Sequence, residues 1–406
     1  MTKQFKKGVF IFRRDFRLTD NTGLLQACKL CEKVIPIFIF KDRTKSWFSQ
    51  KSFDFMVSAL HNLDDHLKSK GSKLYVFKGA HHDIIKKINP DAVFVNMDYT
   101  AYSTKRDKKI PNLHSFEDVL LFPAHSILTG NETVYHKFTP FYNKAKSKKV
   151  AKPRRFTYSN LFSGSVKGAI KLPKLKNKFV CKKIKNITNY QTSRNELSVP
   201  TTQLSAYIKF GIYSIRQVFH SFKNTALKRQ LYWRDFYYNL AFENPKIFSG
   251  QPFRGSRKSW PGANKIFTKW KQGKTGYPVV DAAMRQLNET GHMHNRGRLI
   301  TANFLVKLGL VDWRKGEKYF ATKLIDYDPA INNGNWQWVA GTGVDYENRI
   351  YNPFTQGKNY DKECKYIKKW VPELKDVDPK EIHKGTYGNA IFDYKKQRGL
   401  AVKWHK

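Results

Sequence analysis

Three groups of residues between 233 and 338 have the types and spacing that chemistry needs. TGHMHNRGRLITANFLVK (290–307) sets His294, Asn295, Arg296 and Arg298 at the opening of an apolar helix. Asn295 and Arg298 stand three apart and share a face, while Arg296 points away from it. That face can meet an internal polar ligand, or the whole turn can simply meet water. LIDYDPAINNGNWQW (324–338) supplies Asp326, Asp328, Asn332 and Asn333 in an otherwise apolar setting. Paired acids bind metal, exchange protons or pair with arginine. Because an unpaired buried charge is costly, Asp326 with Arg298 is the natural pair. Six of the nine tryptophans, Trp233, Trp260, Trp270, Trp313, Trp336 and Trp338, fall in this same quarter of the chain. Helix packing accounts for any one of them. Six together, with Arg and Asn among them, point to a stacking pocket for bases or a conjugated ring. No metal-ligand set, G-x-S-x-G or P-loop accompanies these residues. The hard chemistry therefore falls to an organic cofactor.

These residues need a helical scaffold, and from about 200 to 375 the apolar spacing is helical. The first 130 residues read differently. GVFIF (8–12), VIPIFIF (34–40), KLYVFKG (73–79) and AVFVN (92–96) predict buried strands, and SFDFMVSALHNLDDHLKSKG (52–71) predicts a helix between two of them. This alternation implies an α/β domain built on a doubly wound parallel sheet. FRRDFRLTDN follows the first strand in place of a glycine-rich dinucleotide fingerprint. Between the halves, NKAKSKKVAKPRRF and KLPKLKNKFVCKKIKN are Lys-rich and weakly periodic, as a surface linker would be. The expected division is residues 1–130, a basic linker at 131–195, and an all-helical domain at 196–406.

Composition narrows the partners. Lys and Arg number 75 against 32 Asp and Glu, a net charge of +43, which suits a polyanion and nucleic acid first. The other reading of that excess is a proteome that uses lysine wherever solvent allows. Cys28 and Cys31 have C-x-x-C spacing, open to a zinc or redox reading, but two reduced thiols on a short apolar helix is the expectation. No apolar run is long enough for a membrane span, and MTKQFKKGVFIF lacks a cleavage site. A cytoplasmic or nuclear protein is expected.

FRRDFRLTDN, VYHKFTPFY, TTQLSAYIKFG, QLYWRDFYYNL, KTGYPVVDAAMRQLNETGHMHNRGRLI, VDWRKGEKYF, LIDYDPAINNGNWQWVAGTG, YNPFTQGKNYD and YIKKWVPEL run in order along nearly the whole chain. Together they resemble the DNA photolyase and cryptochrome family, and most of all its cyclobutane pyrimidine dimer photolyases. The resemblance implies an antenna domain, a linker and a helical FAD-binding domain. It implies light-driven repair of UV-damaged DNA by electron transfer from reduced FAD, in a monomer with no protein partner. A second antenna chromophore, of folate or deazaflavin type, is implied without residues that choose between them.

Residue by residue, Tyr190, Arg194, Thr201, Thr202, Leu204 and Ser205 match the grip on the FAD phosphates and ribitol. Arg234, Asn295, Arg298, Asp326 and Asp328 match the pocket around the flavin, and Asn332 the residue facing its N5. Trp336, Trp313 and Trp260 match the tryptophan chain of photoreduction. Trp233 and Trp338 match the aromatics flanking a flipped-out dimer, with Gln230, Asn295, Arg296, Leu299 and Gln356 at lesion or strand contacts. Gln230, Leu299 and His292 replace a common Glu, Met and Trp. Gln230 is closer to the 6-4 photoproduct branch, whereas Asn295 stands where that branch has a catalytic His. NRGR and DYDP are also similar to single-strand-specific DASH proteins. A cryptochrome photoreceptor without repair activity is the alternative of another class.

Within NNGNWQWVAGTG (332–343), a helical backbone would turn Trp336 and Trp338 about 200° apart, since one turn takes about 3.6 residues. Asn332 would lie one turn before Trp336, on its side.

Overall fold

The computed structural model describes residues 3–41, 49–176, 181–255, 259–346 and 349–405. The chain forms two compact units, Met1–Asn186 with Leu204–Pro245, and Ile187–Gln203 with Lys246–Lys406. Their limits cross both expected divisions, at 130 and at 195.

The first unit is built on a five-stranded parallel sheet. Strands β1 (Phe5–Phe12), β2 (Cys31–Phe40), β3 (Tyr75–Lys78), β4 (Ala92–Asn96) and β5 (Leu113–Phe116) lie in the order β3-β2-β1-β4-β5. Val9 stands beside Ile35 on one side and Val93 on the other, and all three are buried. Continuous apolar runs are what a parallel sheet covered on both faces requires. The sequence reading has the first four strands but not β5. That strand is four residues long, at the edge, and carries His114 and Ser115 instead of an apolar run. Helices α1 (Thr22–Leu30), α2 (Gln50–Lys68), α3 (His81–Ile88) and α4 (Ala101–Asp107) connect the strands. α2 is the helix expected over 52–71, shifted two to three residues toward the N-terminus by the Ser49 cap, which accepts from the Ser52 amide.

FRRDFRLTDN has a structural use. Arg17 and Arg216 both bind the Asp118 carboxylate, and Arg216 Nε donates to Asp20 Oδ2 at 2.9 Å, with all four side chains nearly dry. Gly211 holds a positive φ of 62°, and a Cβ there would run into the Arg14 carbonyl. These contacts tie 204–221 to the end of β1. Helices α5 (Phe138–Lys146) and α6 (Thr225–Glu243) complete this unit through an aromatic cluster. The lysine-rich stretch between them is largely irregular and includes 177–180, which lie outside the described residues. Part of it is laid along the sheet: Asn160 Nδ2 donates to the Cys28 and Cys31 carbonyls, and Phe162 pairs with Val34.

The second unit is helical. Its helices include α7 (Asn264–Gln272), α8 (Pro278–Thr290), α9 (Asn295–Asn303), α10 (Trp313–Lys323), α11 (Pro329–Ala340), α12 (Pro353–Tyr360), α13 (Lys365–Trp370) and α14 (Tyr394–His405). A π-helical turn, Phe304–Leu308, continues α9. Trp270, Tyr277, Met284, Leu305, Trp313 and Phe320 fill the core.

Cys28, Cys31, Cys181 and Cys364 are free, and burial pushes the Cys28 and Cys31 thiols up to about 12 and 11. They stay protonated and unreactive near neutral pH. Cys31 opens β2 rather than lying on the helix with Cys28. Among the described residues no group of three His, Cys, Asp or Glu could hold a metal ion, and no helix is long and apolar enough to cross a membrane.

Candidate functional site

In the second unit, α11 carries the most informative residues. Asp328 caps it, its Oδ1 accepting from the Ala330 and Ile331 amides, and Pro329 opens the first turn. Gly341, at a φ of 82°, closes the helix. Asp328 is thus a structural cap as well as an expected pocket residue. Asn332 and Trp336, four apart, are both turned onto α10. Asn332 Nδ2 donates to Glu317 Oε1 at 3.0 Å, and the Trp336 indole lies over Gly316, where a Cβ would sit inside the ring. α11 is helical through both tryptophans, which therefore leave it about 200° apart; Trp336 is buried and Trp338 half-buried.

Between them Gln337 is a fastener. Its amide donates to Asn333 Oδ1 at 2.7 Å and to the Gln251 carbonyl, and its Oε1 accepts from the Phe253 amide. The Trp336 neighbourhood is aromatic throughout. Phe320 meets it edge-on at 5.0 Å and Trp270 at 6.1 Å. Trp270 is wholly buried, its Nε1 donating to the Thr301 carbonyl, and serves as core.

Glu317 is the partner the sequence reading missed. Burial raises its carboxyl above the usual range, while hydrogen bonds from Asn332 and Tyr327 pull it back. A signal existed one residue earlier. Gly316 sits inside a helix, where glycine costs about 1 kcal/mol, and interior glycines mark close approaches.

At the start of α9, Arg298 Nη2 reaches Asp326 Oδ2 at 2.8 Å, and the carboxylate side chain is only 6% exposed. The expected pair is formed. Arg298 Nε also donates to the Met293 carbonyl. Arg296 takes another direction, donating to Asn195 Oδ1 at 2.8 Å and lying over the Tyr360 ring. Asn295 is exposed and Leu299 half-buried. His294 caps the helix, its Nδ1 accepting from the Arg296 amide, so Nε2 carries the proton. Burial lowers its pKa to about 4, leaving it neutral near pH 7.

Tyr190 and Arg194 lie on the short helix Tyr190–Ser193 and its cap, and Thr201 and Thr202 follow in an irregular stretch. Leu204 is buried and Ser205 exposed at the start of Ser205–Lys209, in the first unit. Trp313 is wholly buried, Trp260 half-buried, and Gln356 half-buried on α12. Among the described residues of this unit, Arg194 Nε, His294 Nε2, Arg296 Nε and Gln356 Oε1 are buried without a hydrogen-bond partner. Three of the four are donors. Unsatisfied buried donors fit a bound group rich in acceptors, as the phosphates and flavin carbonyls of FAD are.

In the first unit, α6 carries Gln230, Trp233 and Arg234. Trp233 stacks on Phe138 with centroids 3.5 Å apart, so one face of the indole is covered. Gln230 Nε2 turns back to the Ala226 carbonyl at 3.2 Å, and Arg234 Nη1 donates to the Val119 carbonyl at 2.7 Å. A second polar cluster lies past the carboxyl ends of the strands, where ligands of such sheets bind at the reversal of strand order. Arg13 grips Asp107 with two bonds of 2.8 Å, and Arg106 Nε binds the same carboxylate. Arg13 Nε, Arg106 Nη2 and His81 Nδ1 are buried there without partners. Burial and the nearby Arg106, Arg13 and Lys41 charges lower His81 to about 2, so its ring is neutral.

Known proteins are similar to this chain over nearly its full length. Residues 8–156 match the DNA photolyase family and 226–403 match the FAD binding domain of DNA photolyase. The deoxyribodipyrimidine photo-lyase of Escherichia coli K12 is 33% identical over 429 residues, covering 92% of this chain and 90% of that relative. The crystal structure of an archaeal photolyase from Sulfolobus tokodaii, with two FAD molecules, superposes with a TM-score of 0.89 at 38% identity, over 98% of this chain and 99% of that one. A class III photolyase from Agrobacterium tumefaciens gives 0.84 at 28% identity, over 99% and 98%. With sheet, helical unit and both sequence regions matched over nearly the full length, the chain belongs to the DNA photolyase and cryptochrome family.

Proposed function

We propose that the protein splits cyclobutane pyrimidine dimers in UV-damaged DNA with light, using reduced FAD. The observation that carries the reading is the α11 face. Asn332 and Trp336 share the side turned to α10, and half-buried Trp338 looks the other way. One helix thus offers a flavin-side pair and a separate aromatic wall for a base. We read residues 1–130 as the antenna domain, 131–195 as linker and 196–406 as the catalytic domain. The protein acts as a monomer where the DNA is, in cytoplasm or nucleus.

Tyr190, Arg194, Thr201, Thr202, Leu204 and Ser205 hold the FAD phosphates and ribitol, and Arg234, Asn295, Arg298, Asp326 and Asp328 surround the flavin. When bound, reduced FAD supplies the light-excited electron that opens the dimer. Asp326 keeps Arg298 in place, and Asn332 presents an amide that can hydrogen-bond the ring but does not readily give up a proton. Trp233 and Trp338 flank the flipped-out lesion, with Gln230, Arg296, Leu299 and Gln356 against it or its strand. Extruding a damaged step costs less than extruding an intact one, which favours the lesion. A second chromophore occupies the cluster at the carboxyl ends of the strands. Its unpartnered Arg13, Arg106 and His81 atoms suit an acceptor-rich pigment. The two FAD molecules of the Sulfolobus tokodaii relative add a flavin dinucleotide to the folate and deazaflavin candidates.

The test is to incubate reduced holoprotein with duplex and single-stranded oligonucleotides carrying either a cyclobutane dimer or a 6-4 photoproduct, in light and in darkness. Light-dependent loss of the cyclobutane dimer is expected. Loss of the 6-4 lesion alone would move the protein to that branch. A photoreducible flavin with no repair of any substrate would make it a photoreceptor.

A further inference from the structure

We propose that Trp404 is a fourth electron relay, which passes an electron to Trp260 at the outer end of the series Trp336, Trp313, Trp260. The proposal rests on the flavin photochemistry proposed above. The Trp260 and Trp404 rings lie 4.8 Å apart between centroids at 42°, closer than the 6.1 Å between Trp270 and Trp336. Both rings are half-buried, whereas Trp336 and Trp313 are 3% and 1% exposed.

The pair is held from both sides by one stretch of backbone. The Gly262 amide donates to the Leu310 carbonyl at 2.9 Å, and a Cβ on Gly262 would collide with the Gly309 and Leu310 backbone. The loop bearing Trp260 therefore lies flat on that segment. From the other side, Gln397 Nε2 donates to the Leu308 carbonyl at 2.6 Å, and His405 Nε2 meets the Lys307 carbonyl at 3.2 Å. Ala401, one turn before Trp404, is wholly buried. The π-helical turn and the two residues after it thus hold α14 and the loop on one stretch of backbone. Trp313 follows Leu310 by three residues, and Gly316, one turn later on α10, lies against Trp336. Four indoles are strung along residues 304–316 and what docks there.

Charge favours travel outward along this string. An indole radical cation in the dry core is poorly solvated, and it is stabilised where water reaches the ring. Trp270, also in contact with Trp336, is wholly buried and offers no such outlet. One electron leaves Trp336 for the photoexcited oxidised cofactor. Trp313 then reduces the Trp336 radical, Trp260 reduces that of Trp313, and Trp404 reduces that of Trp260. The single oxidising equivalent ends on Trp404, whose indole N–H releases its proton to water. An exogenous thiol returns one electron and one proton and becomes a thiyl radical.

The experiment uses the full chain with and without flavin. In the apoprotein, circular dichroism should show an exciton couplet of the indole pair, lost in Trp404→Phe and in Trp260→Phe. In holoprotein with oxidised flavin, transient absorption after a laser flash should show a long-lived tryptophan radical. Trp404→Phe should shorten its lifetime several-fold, and Trp404→Tyr should recover part of it, since phenol can also be oxidised. Trp336→Phe should abolish the signal. An abolished signal in Trp336→Phe beside an unchanged lifetime in Trp404→Phe would overturn the role of Trp404 alone. A missing couplet in the unsubstituted protein would do the same. A flash signal intact in Trp336→Phe would instead overturn the underlying reading of the tryptophan series.

Discussion

At the scale of single residues, the site depends on pairs that each need both members. Arg298 and Asp326 were legible in the sequence, because two opposite charges in apolar surroundings need each other. Removing the cation takes the ion-pair partner from a nearly dry carboxylate. Arg298→Ala should lower stability by about 3 kcal/mol, read as a drop in urea midpoint, and should weaken flavin retention. Wild-type stability and flavin content in that variant would show that the pair is dispensable. Trp338→Ala should weaken lesion binding by about 1–3 kcal/mol if a base stacks on it, as measured by titration with a dimer-containing oligonucleotide. Equal affinity would remove Trp338 from the lesion pocket. Glu317 could not be read in advance. Its link to Asn332 spans fifteen residues between two helices, and no local spacing encodes a contact that only packing of α10 on α11 creates.

At the scale of elements, Gly316 makes the packing of α10 on α11 testable. A helix-interior Gly→Ala change ordinarily stabilises by about 1 kcal/mol. Here the added methyl would enter the Trp336 ring, so Gly316→Ala should destabilise by about 1–3 kcal/mol and shift tryptophan fluorescence. A stabilised variant would mean that the ring is not seated on the helix. The first four strands were legible from their apolar runs and the helical half from its spacing, whereas β5 was not, because an edge strand of four residues is set by its neighbour. α6 supplies a pH effect. Burial raises Asp235 from 3.8 to about 7, against the pull of Arg234. The folded protein then keeps a proton that the unfolded chain releases, so the stability this carboxyl contributes is full below about pH 4 and is lost as pH rises to about 7. Glu117 and Asp15, raised by burial to about 7 and about 6, act in the same window. Asp235→Asn should remove part of that slope in urea midpoints between acid and neutral pH. An unchanged slope would show that Asp235 is ionised throughout.

At the scale of the whole molecule, the charge excess is the most general feature. If about six to ten phosphates are contacted, raising salt from roughly 50 to 200 mM should weaken DNA binding by on the order of a thousandfold or more. Gel-shift titrations across that range would measure it, and a flat dependence would assign the lysines to solvation. Fold class and the order of domains were legible from strand–helix alternation and the helical half. The allocation of chain to compact units was not, because it depends on contacts such as Arg216 with Asp20 that join residues nearly two hundred positions apart. Those contacts bear on how the protein can be divided. The chain passes between its two units at 186, 203 and 245, and Trp233 and Phe236 on α6 cover Phe138 and Phe141 on α5. A gene cut in the lysine-rich stretch would therefore yield no self-sufficient antenna half, since its aromatic lid is encoded downstream. Swapping antenna modules between relatives would have to carry residues 204–245 along with the first 186.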